Sequence, residues 1–138
     1  MKRREDWPER LARFLDARRE TAWEYGAHDC ALFAADAVHA ITGVDPAARI
    51  RGYIGRLAAI EVVRQHGGLA HLAETEMARA GSVPAAPGKA QRGDLVLVTV
   101  DDETDALGVV ADRDVAVANA PGWARVPRHR ITAAWHIG

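Results

Sequence analysis

From Cys30 the apolar positions Cys30, Phe33, Ala34, Ala37, Val38 and Ile41 recur three and four apart, which lays a stripe along one face of a helix. Thr42-Gly43 supplies its stop. Asp29 stands just before the first turn, where a carboxylate can accept hydrogen bonds from amides that have no partner within the helix. The same spacing predicts three more helices. One covers about residues 8–20, with Pro8 in its first turn and Leu11, Phe14 and Leu15 on one face. Another, about 55–66, carries Leu57, Ile60 and Val63 and stops at Gly67-Gly68. The last, about 69–80, carries Leu69, Leu72, Ala73, Met77 and Ala80 and stops at Gly81. Between the second and third helices, Asp45–Tyr53 contains Pro46 and Gly52 and reads as turns.

The period changes after Gly81–Gly88, a loop inside the domain. Asp94–Val100 is an apolar, β-branched run typical of a buried strand and follows a turn at Gly93. Shorter strands are predicted at about 106–111, 115–119 and 131–137, separated by Asp112-Arg113-Asp114 and Pro121-Gly122. Helices over about 8–80 followed by strands over about 93–137 predict one α+β domain, 1–138, with N-terminal helices packed on a C-terminal antiparallel sheet.

Composition narrows the partners. A formal net charge of -1 gives no general attraction to nucleic acid or anionic membrane. No phosphate loop, dinucleotide fingerprint or interleaved basic and aromatic patch is present. Met1-Lys2-Arg3-Arg4 is followed by Glu5-Asp6 rather than an apolar segment, so no secretory signal is expected, and no run is long enough to span a membrane. Cytoplasmic synthesis follows as the expectation. The single cysteine cannot form an internal disulfide, which fits a reducing compartment.

That cysteine carries the candidate chemistry. At a helix start the dipole favours a thiolate, whereas a place on the apolar face suits a buried, inert thiol, and both readings stand. A nucleophilic cysteine also needs a base within hydrogen-bond reach and a group that orients the base. His28, two residues away, is the candidate base; the alternative is that its ring bonds backbone and fixes the preceding turn. His129 and His136 read as surface or sheet-edge residues. His66 and His71 read as helix-end histidines, and His28-Asp29-Cys30 lacks a further ligand, so no metal or other cofactor is expected. Trp23, Tyr25 and Tyr53 are candidates to line a groove for a peptide or glycan, or else to pack the core. Arg51 is a candidate to hold a substrate carboxylate, or to close its turn by an ion pair.

The Asp29-Cys30 pair opening a helix, Gly93-Asp94-Leu95-Val96 and the following Leu107-Gly108-Val109 together resemble the NlpC/P60 superfamily of papain-like cysteine peptidases and amidases. Trp23 to Tyr25, His28-Asp29-Cys30, Arg51-Gly52-Tyr53 and Trp135 look more specifically like its small tail-associated phage and prophage proteins. The match runs collinearly over roughly residues 23–136. The resemblance implies a papain-like fold, Cys30 as nucleophile, a peptidoglycan peptide as substrate, and phage tail proteins and the virion tail as partners and destination. It also implies a polar orienting residue near Asn119. One departure matters most: where active members carry the catalytic histidine, this chain has Ala106. The rival expectation is therefore a tail component that kept the fold as a docking module and lost catalysis.

Overall fold

In the computed structural model, which describes residues 1–138, helix α1 (Trp7–Ala17) leads into the helix that begins at the cysteine, α2 (Cys30–Thr42). Asp29 caps α2 as its position predicts, accepting from the Leu32 amide at 2.9 Å. Gly43, in the left-handed region at φ 80°, ends it. The apolar stripe understates how deeply α2 is embedded. Leu32 and Ala35, off the stripe, are buried along with Phe33, Ala34, Ala37, Val38 and Ile41, so the helix is covered on nearly every side. Helices α3 (Gly55–Gln65) and α4 (Leu69–Arg79) follow where the spacing predicts them. They differ in depth: α4 buries Leu72, Ala73 and Met77, whereas α3 buries no residue at all.

Six strands form one antiparallel sheet: β1 (Val83–Ala85), β2 (Leu95–Asp101), β3 (Thr104–Val110), β4 (Asp114–Ala118), β5 (Trp123–Pro127) and β6 (Ile131–His136). Their order across the sheet is β1-β6-β2-β3-β4-β5. The pattern of the sequence misses β1 and β5, which are the two edges. Each contains a proline, tolerated only where a ladder hydrogen bond is dispensable, and Pro84 lies opposite Trp135 on the outermost ladder.

The near-continuous apolar run of β2 reflects burial on both faces. Leu95 and Leu97, with Leu107 and Val109, pack against α2 and α1 through Phe33, Val38 and Leu11. Val96 and Val98 point the other way, into a second core with Val110, Val115, Val117 and Val126. No helix contributes a buried residue to this second core; Cys30 packs at its rim.

The Gly-Asp-Leu-Val segment has a structural task. Asp94 is fully buried and accepts from the amides of Gln91 at 2.9 Å and Ile137 at 3.0 Å and from Arg3 at 3.0 Å. Arg3 also donates to the Ile137 and Arg92 carbonyls. One buried carboxylate thereby joins the chain start, the beginning of β2 and the end of β6. No helix is long and apolar enough to cross a membrane.

Candidate functional site

The first residue of α2 places Cys30 against β3, where the Leu107 backbone amide faces its sulfur. Removal from water pushes the thiol above its ordinary range, the nearby Asp29 carboxylate adds to the rise, and the Leu107 amide only partly offsets it. Of the two readings of the thiol, its loss of water favours the one in which it stays protonated.

The segment before Cys30 is held by Asp29, whose carboxylate accepts from the Gly26 amide at 2.9 Å and from the Tyr53 hydroxyl, besides capping the helix. Gly26 sits at φ 92°, and a Cβ there would come within 2.2 Å of the Tyr53 carbonyl oxygen, so only glycine fits this close approach. Burial, and then the Asp29 carboxylate, push the Tyr53 phenol well above its usual range, so it stays a donor.

His28 does not act as the base of Cys30. Its ring is buried, with Nε2 2.7 Å from the Gly122 carbonyl oxygen and Nδ1 3.2 Å from an Arg18 guanidinium nitrogen. The carbonyl can only accept and the guanidinium can only donate, so the neutral tautomer carries its proton on Nε2 and both ring nitrogens are engaged away from the sulfur. This is the turn-fixing role. The other histidines are also elsewhere: His66 bonds the Val62 carbonyl, His136 faces Asp94, and His39, His71 and His129 are exposed.

Two depressions meet at the thiol and share Trp23, Tyr25 and Cys30. One, about 230 Å³, lies between α2, α3 and α4 and is bounded by Ile50, Tyr53, Val63 and Leu69. The other, a groove of about 550 Å³, runs over the sheet past Ala106, Asn119, Arg125 and Arg130. No histidine lines either. Cys30 and Ala106 line the same groove.

The structure places Trp23, Tyr25 and Tyr53 on the wall of one depression, Trp23 and Tyr25 meeting edge to face at 5.4 Å. Arg51 lies outside both depressions. It pairs with Asp45 at 2.6 Å and with Asp36, which also receives Arg18 at 2.6 Å, so its ion pairs close the turn. Asn119 borders the groove but is exposed, and its amide closes the β4–β5 turn on Gly122 at 2.9 Å. Sequence reasoning did not single out Arg125 and Arg130, because they lie in elements it did not resolve: edge strand β5 and the short 3-10 turn Arg128–Arg130. No group of three or more His, Cys, Asp or Glu side chains is placed to hold a metal ion.

Over residues 2–137 the chain matches the family described as a domain of unknown function, DUF6950, and it belongs to that family. Comparison with curated proteins finds no match.

Proposed function

We propose that this member of the DUF6950 family is a papain-like, NlpC/P60-type domain of a phage or prophage tail that uses the Cys30 groove for binding and does not cleave. The observation that carries the reading is the shared groove: Cys30 and Ala106 both line it, and no imidazole does. Alanine has no proton-accepting group, and a thiol held above its ordinary range is a poor nucleophile without a base. The antiparallel sheet behind an N-terminal cysteine helix supports the superfamily reading, as does the Asp94 junction within Gly-Asp-Leu-Val. The tail assignment rests on the sequence resemblance, and recovery of the chain in purified particles tests it.

The decisive experiment follows Cys30 alkylation by iodoacetamide from pH 5 to 9, alongside release of products from purified peptidoglycan. The wild type is expected to react slowly, with a midpoint above the roughly 8.5 of a free thiol, and to release nothing. Ala106→His, by placing an imidazole on the same groove wall, is expected to lower that midpoint. Fast alkylation below neutral pH together with peptide release from the wild type would overturn the proposal in favour of an active cysteine peptidase.

A further inference from the structure

The depression between α2, α3 and α4 is a space that the fold leaves unfilled. Helix α3 buries no residue, yet its Ala59, Ile60, Val62 and Val63 form one wall of the depression, with Leu69 and Leu72 of α4 opposite. The depression is open to solvent along α3, where Ile60 stays half exposed, and an apolar ligand seated there would cover that surface. Its volume is about 230 Å³.

Its chemistry selects the occupant. Of the lining residues only Asp29 carries a charge, and its carboxylate is already committed to the Gly26 and Leu32 amides and the Tyr53 hydroxyl. A peptide backbone laid here would leave its own amides unpaired, whereas an alkyl chain brings no polar group to satisfy. The depression opens at Trp23, Tyr25 and Cys30 into the groove over the sheet, where the charged groups change. Arg125 and Arg130 border that groove and neither is in an ion pair; Arg125 lies over the Trp123 ring at 5.2 Å. Asp105 is the one carboxylate among the groove's lining residues, with Asp101 near Arg130 just outside it, so the two guanidiniums are the cationic groups that face the groove.

Resting on the reading of the Cys30 groove as a binding site, we infer that it takes a medium-chain aliphatic carboxylate, the chain lying between α3 and α4 and the carboxylate facing Arg125 and Arg130. The thiol borders the passage between chain and head group and takes no chemical part.

Titration calorimetry with sodium octanoate, octylammonium and butyrate tests this, with tryptophan emission as a second readout because Trp23 borders both compartments. Octanoate is expected to saturate a single site. Octylammonium should bind about tenfold more weakly, as its charge is opposed by the arginines. Butyrate, four methylenes shorter, should bind roughly 250-fold more weakly, since each buried methylene adds about a factor of four. Ala59→Phe fills the cavity from a helix that buries nothing, so the fold should tolerate it while octanoate binding falls about tenfold or more. Replacing Arg125 and Arg130 with alanine should erase the preference for octanoate over octylammonium.

Failure of octanoate to saturate, equal binding of octanoate and octylammonium, or octanoate binding unchanged in Ala59→Phe would each overturn the inference. Iodoacetamide reactivity of the same samples separates the two proposals. A slow thiol without octanoate saturation sinks only this one, whereas a fast thiol with peptidoglycan cleavage sinks the non-catalytic reading beneath it.

Discussion

Cys30 shows how two effects of position compete at one atom. The start of α2 offers a positive dipole, worth a fraction of a kcal/mol to about 2 kcal/mol for an anion, but burial removes the water that a thiolate needs. Burial wins, and the consequence reaches stability. A thiol whose folded pKa is raised binds its proton more tightly in the folded chain than in the unfolded one. Its contribution is therefore complete below the ordinary thiol range near 8.5 and is lost as pH rises from there through the folded value. Between those limits the loss is at most about 1.4 kcal/mol per pH unit. Chemical denaturation at pH 7.5 and 9.5 should show the wild type losing more stability than Cys30→Ala across that interval. Equal losses would mean that the thiol titrates alike in both states.

At the scale of elements, His28 is the joint rather than the catalyst. Its ring ties the end of α1, through Arg18, and the β4–β5 turn, through Gly122, to the residue before the α2 cap, and it packs edge to face on Phe33 at 5.6 Å. Removing it empties a buried site beside Phe33 and leaves the Gly122 carbonyl with only the Asn119 amide and the Arg18 guanidinium with only Asp36. His28→Ala should thus destabilise the fold by about 2–4 kcal/mol, measured by urea denaturation. Cys30 alkylation in the still-folded variant should stay within about twofold of wild type, because neither ring nitrogen serves the sulfur. A fall of tenfold or more at unchanged fold would restore His28 as the base. Periodicity could not reveal this arrangement, since the partners lie ten and ninety-four residues away in sequence. What short-range pattern did reveal was the capped start of α2, because Asp29 acts on an amide three residues on. The same division explains the sheet: β2 was legible from its doubly buried run, whereas β1 and β5 are short, proline-bearing edges whose identity comes from the neighbours they join.

Across the whole molecule, the helical and sheet halves are held in register by a contact between residues at opposite ends of the chain. Arg3 reaches Asp94 at 3.0 Å and also donates to the backbone of Arg92 and Ile137, while its guanidinium lies over the Trp7 ring at 4.2 Å. Burial disfavours the charged Arg3, and Asp94 only partly compensates, so the pair is kept for what it joins rather than for a large net attraction. That argument separates removing one partner from removing both. Arg3→Ala should leave the fully buried Asp94 carboxylate with its two amide donors and His136 at 3.3 Å but no guanidinium, and cost about 3 kcal/mol. Replacing both, as Arg3→Met with Asp94→Asn, should cost less than the sum of the two single changes, because the double variant strands no charge. The double-mutant cycle, read by urea denaturation, is expected to return a coupling of about 1–3 kcal/mol. Additive losses would mean that Arg3 and Asp94 stabilise their backbone partners independently, and that β6 is held beside β1 and β2 by its ladders without help from the ion pair.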